Sequence, residues 1–372
     1  MAPADRRSRA YRPPRTGATA PSLLRWFRSH RRPLPWRRDR DPYRIWLAEV
    51  LLQQTRVAQA VPYFERLVAE FPTIEDLARA PRDRVLKAWQ GAGYYARAHH
   101  LHATARAVVD DHGGHFPREV ERLEQLPGIG PYIARAVASL AFEAPVVALE
   151  ANGARVAARW TLERGDLRRP WVRDRLAAAL AAELPRGRAG EFNEAIMELG
   201  ETVCRPVAPR CDRCPVSRRC RAFRETDDPG AIPRPRPRPA RPHVRAAVVV
   251  LSRGGRWLVQ QRAPDRLLGG LWEFPGGRIE PGERPEAAAR RELREETGRG
   301  AGPLQSHGIV RHAYSHFTVE LHVFEGPDAG DGPRRAGAGR RWVRPDELRA
   351  LPIPKATEKI VSRITAGRAS PD

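Results

Sequence analysis

The cysteines of this chain form one short cluster. The 372-residue sequence contains four of them, spaced as C-x6-C-x2-C-x5-C: Cys204, Cys211, Cys214 and Cys220. Four thiolates gathered over so short a stretch can ligate zinc or a [4Fe–4S] cluster. Zinc sites usually combine two C-x2-C pairs, whereas one close pair flanked by two single cysteines favours the iron–sulfur cluster. Two disulfides are the remaining alternative. No signal peptide is recognised, so we expect a reducing cytosol, which argues against them.

Three glutamates near the end of the chain form a second candidate metal site. Glu292, Glu295 and Glu296 are spaced i, i+3, i+4, so a helix carries them on one face. Carboxylates placed in this way repel one another unless a hard cation lies between them, and Mg²⁺ bridging to a diphosphate is the natural occupant. A solvated acidic face is the alternative. From Gly277 onward, the segment Gly276 to Gly298 fits the Nudix box G-x5-E-x7-R-E-U-x-E-E-x-G and departs only at the apolar position that follows it.

A glycine-containing loop, LPGIGPYIA from Leu126 to Ala134, is typical of a turn that binds an anion. Gly128 and Gly130 allow a tight turn with positive φ, and Pro131 suits the first position of a following helix. The backbone N–H groups of such a turn and of the helix N-terminus can bind phosphate. A plain helix–turn–helix is the alternative.

The charge of the chain favours a polyanionic partner. The net charge is +22 and the isoelectric point is about 11.1, which suggests nucleic acid. Lysine occurs only at positions 87, 355 and 359, and the abundance of arginine, alanine and proline indicates a GC-rich genome, which raises the arginine content whatever the function. No apolar run approaches the ~20 residues of a membrane helix. We therefore expect a cytoplasmic, nucleoid-associated bacterial protein that does not bind membranes.

The residue pattern predicts two folded domains. From Pro21 to about Thr226, apolar residues recur three and four apart, which predicts helices and no strands. Proline at almost every second position predicts an extended linker from Asp227 to Pro242. Strands at Val244 to Leu251 and Arg256 to Gln261, with a helix from Glu286 to Thr297, then predict an α+β or α/β/α domain.

Together these features resemble the helix-hairpin-helix base-excision DNA glycosylases that carry a [4Fe–4S] cluster, and within them the MutY-type adenine glycosylases. The resemblance covers residues 21–372. Besides the hairpin and the cysteines, it rests on LPWR (34–37), PYRIWLAEVLLQQTRV (42–57), GAGYYARAHHLH (91–102) and FNEAIMELG (192–200). We accordingly expect a disordered basic tail (1–20), an all-α helix-hairpin-helix glycosylase domain (21–203), a cluster loop (204–225), a Pro/Arg-rich linker (226–243) and a Nudix domain (244–372).

The family excises adenine mispaired with 8-oxoguanine in double-stranded DNA. Because a stacked base cannot be reached, it is flipped into a pocket. Breaking the N-glycosidic bond then needs a proton donor for the base and a carboxylate beneath a sugar that becomes cationic. Glu49 lies on an otherwise apolar helix, where a raised pKa would let it donate a proton near neutral pH. A solvent-facing glutamate is the alternative, and the resemblance assigns Glu49 the role of the acid.

Glu150 departs from the family pattern. The family has aspartate here, in a segment that reads roughly DGN, whereas residues 150–152 read EAN. The carboxylate is retained on a stem longer by one methylene, on the order of 1 Å, and misplacement of that size costs about a hundredfold in rate. We expect Glu150 to stabilise the cationic sugar and excision to be slower.

Tyr132 stands where bifunctional relatives carry the lysine that forms a Schiff base and nicks the strand. Lys87, the one lysine of the predicted glycosylase domain, does not match that position. We therefore predict a monofunctional enzyme that excises a base without efficient strand cleavage.

The resemblance also assigns residues that bind DNA. Those placed around the flipped adenine are Arg37, Tyr132, Asn152 and Glu194. Gln54 and Tyr94 would wedge into the duplex beside the oxidised guanine, replacing stacked base surface. Core packing is the alternative for Tyr94.

The C-terminal domain carries two motifs that the family does not usually combine. Relatives have lost the Nudix box and use this domain to recognise 8-oxoguanine, but here the box is complete. The recognition loop is also present, with Tyr314, Ser315 and His316 where the family usually has FSH. Small polar side chains there can test N7–H and O8 of the oxidised base. We expect the domain to recognise the lesion and to hydrolyse a nucleoside diphosphate linkage.

Three functions remain open on sequence alone. The leading one is a monomeric DNA repair glycosylase with a [4Fe–4S] cluster and Mg²⁺ at the Nudix box. The second is a Nudix nucleotide pyrophosphohydrolase whose N-terminal domain binds DNA with weak or altered glycosylase activity. The third is a non-catalytic lesion-binding protein. Glu49 together with Glu150 separates the first from the third.

Overall fold

The computed structural model describes residues 19–234, 240–264, 266–332 and 336–368. Residues 1–18 of the predicted tail and 235–239 of the predicted linker lie outside this range. Packing divides the chain into two compact units. The first comprises the described residues of Met1–Val68, Thr73–Glu75 and Ala103–Pro237, and the second those of Ala69–Pro72, Asp76–His102 and Arg238–Asp372. None of the described helices is both long and apolar enough to cross a membrane.

Residues 19–234 are helical, as the apolar spacing predicts, and no strand occurs among them. The α-helices are α1 (Ala20–His30), α2 (Pro42–Leu52), α3 (Val57–Glu70), α4 (Ile74–Arg79), α5 (Arg82–Trp89), α6 (Ala96–His112), α7 (Val120–Glu124), α8 (Pro131–Phe142), α9 (Ala151–Thr161), α10 (Pro170–Ala181), α11 (Ala189–Thr202) and α12 (Arg221–Glu225).

Local sequence signals set several helix boundaries. Asp41 caps α2, because its carboxylate accepts a hydrogen bond from Tyr43 N–H at 2.9 Å. α7 and α8 form the hairpin, and Pro131 is the first residue of α8. Gly128 has a φ of +75°, as predicted. The prediction of a positive φ is wrong at Gly130, whose φ is −92°, because this residue is the extended N-cap of α8.

The centre of the first unit is α9, which packs against α10, α11 and α12. Buried side chains of α1, α9, α10 and α11 share one apolar core. Gly200 of α11 lies directly against Asn152 in the first turn of α9. A Cβ atom on Gly200 would lie 2.7 Å from the Cβ of Asn152 and 3.2 Å from its carbonyl group. Only glycine therefore lets the two helices approach this closely.

The predicted linker is not extended along its whole length. Pro229–Ala231 forms a 3-10 helix, and Ile232 is buried in the helical core. The carbonyl of Ile232 accepts a hydrogen bond from Arg159 Nε at 2.7 Å. The expectation of an extended segment from Asp227 is wrong up to this point, because one apolar side chain anchors a proline-rich stretch to the core.

The second unit contains the strands and the remaining helices. These are β1 (His243–Arg253), β2 (Arg256–Gln261), β3 (Trp272–Glu273), β4 (Gly276–Arg278), β5 (Gln305–Ala313), β6 (Thr318–Pro327), β7 (Arg340–Val343), α13 (Pro285–Thr297), α14 (Pro345–Ala350) and α15 (Lys355–Arg368).

The described strands form one mixed sheet with the order β3-β2-β1-β6-β5, to which β4 adds on β1 and β7 on β2. β1 and β6 are parallel, and the other pairs are antiparallel. Side chains of β1 alternate between two cores. Val249 and Leu251 pack with Leu293 of α13, whereas Val248 and Val250 pack with the apolar face of α14 and α15. This is the predicted α/β/α arrangement.

A segment of the N-terminal half belongs to the second unit by packing. Lys87 of α5 donates to the carbonyls of Arg349 at 2.6 Å and Leu351 at 3.2 Å. Asp83 accepts a hydrogen bond from Gln261 Nε2 at 3.1 Å. These bonds explain why residues 76–102 group with the second unit, although the sequence assigned them to the glycosylase domain.

The contact between Gly200 and Asn152 yields a stability prediction. Gly200→Ala should lower the free energy of unfolding by about 1–3 kcal/mol, because the added methyl group forces α9 and α11 apart. Urea unfolding measures the change. Gly130→Ala is the control, since no heavy atom lies within 4 Å of its added Cβ, and it should cost under about 1 kcal/mol. Equal losses in both variants would contradict the packing argument.

Candidate active site

A cavity of about 930 Å³ opens in the helical unit. It is lined by seven residues that the sequence singled out: Arg37, Glu49, Gln54, Tyr132, Glu150, Asn152 and Glu194. These residues come from α2, the turn after it, α8, the start of α9, α11 and a short 3-10 helix at Pro35–Arg37. The fold thus brings to one cavity groups that lie more than 150 residues apart in the chain.

Glu49 is buried at the cavity wall, with 5% of its surface exposed. Tyr132 Oη donates a hydrogen bond to Glu49 Oε2 at 2.6 Å. Burial raises the pKa of Glu49 to about 7, because it removes water from the charged form; the Tyr132 hydrogen bond opposes this rise, and the charge of Glu150 adds to it. Glu49 therefore holds a proton to near neutral pH and can donate it.

Glu150 is held in a different electrostatic environment. It is the N-cap of α9, and its carboxylate accepts hydrogen bonds from the backbone N–H groups of Asn152 at 2.5 Å and Gly153 at 2.6 Å. Burial raises the pKa of Glu150, while these two donors act in the opposite direction and favour the ionised form. Burial thus raises the pKa of both carboxyl groups, but Glu150 has two backbone N–H donors that favour its ionised form, whereas Glu49 has one hydroxyl donor.

A buried charge network supports the cavity on the side of α11. Arg37 Nε donates to Glu194 Oε1 at 2.9 Å, and Arg37 Nη1 donates to Glu198 Oε2 at 2.9 Å. Arg32 Nε donates to the other oxygen of Glu198 at 2.7 Å. Glu198, whose side chain has no exposed surface, was missed from sequence. Its spacing of four residues from Glu194 on a helix was the available signal.

Two arginines of α9 join the cavity to the cysteine loop. Arg155 Nη2 donates to Asn152 Oδ1 at 2.6 Å, and its Nε donates to the carbonyl of Cys204 at 2.9 Å. One turn further on, Arg159 Nη1 donates to Cys204 Sγ at 3.3 Å. Neither arginine was singled out from sequence, because their partners become neighbours only in the folded chain.

The four cysteines meet around one small cavity. Cys204, Cys211, Cys214 and Cys220 all line it, and none forms a disulfide. Cys204, Cys214 and Cys220 also pack against the helical core. Within the described part of the chain, no three Cys, His, Asp or Glu side chains have the spacing of a site for a single metal ion.

Two predicted wedge residues have unusual backbone conformations. Gln54, in the turn after α2, has a φ of +62°, and Tyr94, before α6 in the second unit, has a φ of +48°. The left-handed region costs a non-glycine residue about 1–2 kcal/mol, and such strain is concentrated at functional sites. Both side chains are exposed, and 40% of the Tyr94 surface is accessible. The core-packing alternative for Tyr94 is therefore disfavoured.

The acidic residues of the predicted Nudix box lie on α13. Glu296 accepts hydrogen bonds from Gly276 N–H at 2.9 Å and Gln260 Nε2 at 2.6 Å. Arg291 donates to Glu292 at 2.9 Å and to Glu295 at 3.2 Å. The Glu292 carboxylate fills the space where a Cβ of Gly277 would lie. The box residues Gly277, Glu292 and Glu296 thus converge, while most of the Glu295 side chain faces solvent.

The predicted recognition loop follows β5. Tyr314 N–H donates to the carbonyl of Phe317 at 2.8 Å, and their rings stack with 4.6 Å between centroids. Burial raises the pKa of Tyr314 to about 12. The turn leaves Ser315 and His316 exposed at its tip, with Ser315 Oγ 3.1 Å from His316 Nδ1. Tyr314 and Phe317 also line a cavity of about 240 Å³ that reaches Gly276 and Gly277.

Known protein families match both the helical part of the chain and the part that contains the sheet. Residues 47–178 match the HhH-GPD superfamily of base excision DNA repair proteins, and residues 246–363 match the NUDIX domain. A structure of a thermostable thymine-DNA glycosylase has a TM-score of 0.50 and 28% identity, and covers 56% of this chain and 95% of its own. The helical fold and the two-carboxyl cavity thus define a base-excision DNA glycosylase.

Sequence relatives identify the family. An adenine DNA glycosylase of Rattus norvegicus is 34% identical over 393 residues, which cover 91% of this chain and 76% of that protein. The human adenine DNA glycosylase is 33% identical and covers 91% and 72%. That of Mycobacterium tuberculosis is 40% identical over 196 residues, 52% of this chain and 64% of its own. The chain belongs to the adenine DNA glycosylase family.

The raised pKa of Glu49 yields a prediction about stability. Because the folded protein holds this proton more tightly than the unfolded chain, wild type loses stability as pH rises from about 4.5 to about 7, by about 3 kcal/mol at most. Glu49→Gln removes this titration and keeps the shape. Its stability relative to wild type should therefore increase over the same pH range, as measured by urea unfolding at several pH values. A difference that does not change with pH would contradict the assignment.

Proposed function

We propose that this glycosylase removes adenine paired with 8-oxoguanine, with Glu49 as the acid and Glu150 as the carboxylate that stabilises the sugar. The observation that carries the proposal is that both carboxyl groups line one cavity, where Glu49 accepts a hydrogen bond from a tyrosine hydroxyl and Glu150 accepts two from backbone N–H groups. A volume of about 930 Å³ is ample for a flipped purine nucleotide.

The chemistry needs each group in a specific protonation state. As the N-glycosidic bond breaks, its electrons pass to the base, and the proton of Glu49 neutralises them. The sugar becomes cationic, and ionised Glu150 stabilises it until water adds; the proton that the water loses restores the acid form of Glu49. The backbone N–H groups of Asn152 and Gly153 favour the ionised form of Glu150 against the effect of its burial. Arg37 with Glu194, and the amide of Asn152, are the polar groups that would orient the adenine.

Strand cleavage is not part of the proposed reaction. Among the described residues that line the cavity there is no lysine, and Tyr132 hydrogen-bonds to Glu49. Lys87 lies in the second unit, where it donates to backbone carbonyls. An amine that could form a Schiff base with the sugar is therefore missing from the described cavity lining.

The exposed loop residues support recognition of the oxidised base. Ser315 and His316 lie at the tip of a turn fixed by the Tyr314 and Phe317 contacts. A hydroxyl can accept the N7–H or donate to O8, the two groups that distinguish 8-oxoguanine from guanine. Gln54 and Tyr94, strained and exposed, are the proposed wedges that hold the duplex open.

The four cysteines fit a [4Fe–4S] cluster. They line one cavity and are free of disulfides, and Arg159 Nη1 donates a hydrogen bond to Cys204 Sγ. When bound, the cluster would supply a rigid crosslink of the loop. Arg155 and Arg159 tie this loop to α9 and so to the first turn that holds Glu150 and Asn152.

The proposal predicts which variants lose or gain excision. With adenine opposite 8-oxoguanine, Glu49→Gln should lower the single-turnover rate by about 100-fold or more, because it removes the proton donor. Glu150→Asp should raise the rate by up to about 100-fold, because it restores the shorter stem. The assay treats each reaction with alkali and measures strand cleavage at the abasic product.

Controls make this assay specific. Glu65→Gln changes an exposed carboxylate of α3 and should leave the rate within about twofold of wild type. Adenine opposite guanine should react more slowly than adenine opposite 8-oxoguanine. Full activity of Glu49→Gln would rule out the assigned acid, and a Glu150→Asp rate no higher than that of wild type would rule out the misplaced stem. Equal rates opposite both guanines would contradict recognition of the lesion.

A second candidate function is hydrolysis of nucleoside diphosphate linkages by the Nudix domain. The favouring observation is that Gly276 and Gly277 border both the 240 Å³ cavity and the carboxylates of Glu292 and Glu296. A base in this cavity would direct its phosphates towards the box. Mg²⁺, held there by Glu292, Glu295, Glu296 and Gly277, would neutralise the diphosphate charge.

This second activity has its own test. With Mg²⁺, the full-length protein should release pyrophosphate from one member of a panel of oxidised and normal nucleoside triphosphates, and Glu296→Gln should lower that rate by about 100-fold or more. Glu286→Gln, on the same helix but outside the acidic triad, is the matched control. If wild type releases neither pyrophosphate nor phosphate from any triphosphate, the domain is no hydrolase.

A further inference from the structure

A shallow groove of about 350 Å³ lies between β5 and α15 in the second unit. Four cations line it: Arg311 on β5, and Lys355, Lys359 and Arg363 on α15. The opposite face of α15 is buried in the apolar core. The helix therefore presents these three cations, spaced four residues apart, on its outer face.

Backbone contacts hold part of this charge in place without neutralising it. Lys359 Nζ donates to the carbonyl of Arg311 at 2.9 Å, and Arg363 Nη1 donates to the carbonyl of Ile309 at 2.8 Å. Glu358 pairs with Lys355 at 2.5 Å, and Glu320 pairs with Arg311 at 2.7 Å. An excess of two positive charges remains, carried by Lys359 and Arg363. The N-terminal dipole of α15 adds to this potential.

The groove is electrostatically linked to the recognition loop. His312 is the second-last residue of β5, shortly before Tyr314. Its pKa is lowered by burial and by the charges of Lys359 and Lys355. The rings of His312 and Tyr314 are in edge contact, with 4.6 Å between centroids. The positive field of the groove therefore extends to the start of the loop.

We propose that this groove binds the phosphodiester backbone of the DNA strand that carries the base contacted by Ser315 and His316. The inference rests on the proposed function, because it takes the loop as the part of the domain that contacts the lesion. A loop that reads a base edge must lie within several ångströms of the flanking phosphates, and cations there fix the register of the protein on the duplex. Backbone contact of this kind carries no sequence information.

The test is the salt dependence of DNA binding by the full-length chain. Each lysine that neutralises a phosphate contributes about 0.9 to the slope of log affinity against log salt concentration. Lys355→Gln combined with Lys359→Gln should lower the slope by about one, because Glu358 already pairs with Lys355, and should weaken binding several-fold at about 0.1 M salt. The effect should be the same on a duplex with 8-oxoguanine opposite a non-cleavable adenine analogue and on its guanine counterpart.

The matched control removes the same charge elsewhere in the unit. Arg294→Gln combined with Arg349→Gln neutralises two exposed arginines of α13 and α14 and should change the slope by less than about 0.5. Thermal unfolding of both double variants shows whether the fold is retained, which the exposure of all four side chains predicts.

Each other outcome overturns a defined part of the account. An unchanged slope in the lysine variant, or an equal drop in the control, would overturn the groove as a phosphate site. Two further outcomes would overturn it. One is weaker binding of the 8-oxoguanine duplex alone, and the other is weaker binding of a free nucleoside triphosphate while DNA binding is unchanged. If wild type binds both duplexes equally, lesion recognition is overturned. The salt slope of the variants would still show whether the groove binds phosphates.

Discussion

The proposed chemistry of this protein depends on the burial of one carboxyl group. Glu49 lies on a helix whose other side chains form the core, and the hydrogen bond from Tyr132 is the polar contact that accompanies its burial. Water would normally stabilise the charged form, so its exclusion raises the pKa of Glu49 to about 7. The same burial lowers stability at higher pH and suits this residue to the proposed role of proton donor.

α9 holds other groups of the cavity that Glu49 lines. Its N-cap is Glu150, its first turn holds Asn152, and Arg155 and Arg159 reach the cysteine loop. Gly200 allows α11 to approach α9 closely, and α11 carries Glu194 and Glu198. One short helix thus sets the positions of the second carboxylate, an amide and the cluster loop. A substitution that breaks any of these contacts should therefore displace groups that line the cavity.

The sequence predicted most of the elements and the residues that meet in the cavity. Apolar spacing identified the helices, because this period reflects which face is buried, and short strand-like segments identified β1 and β2. The burial of Glu49 could be inferred from its apolar neighbours on α2. What could not be predicted depends on contacts between distant residues. Glu198 pairs with Arg32 and Arg37 more than 150 positions away, and Ile232 is fixed by Arg159.

The central claim is that Glu49 donates its proton during base excision. Its most direct test is the pH dependence of the single-turnover excision rate, compared between wild type and Tyr132→Phe. The wild-type rate should fall as pH rises through about 7, because the acid form is lost. Tyr132→Phe should move that midpoint to higher pH, because it removes a hydrogen bond that favours the carboxylate. A rate that stays constant through neutral pH in wild type, or a midpoint unmoved in the variant, would contradict the claim.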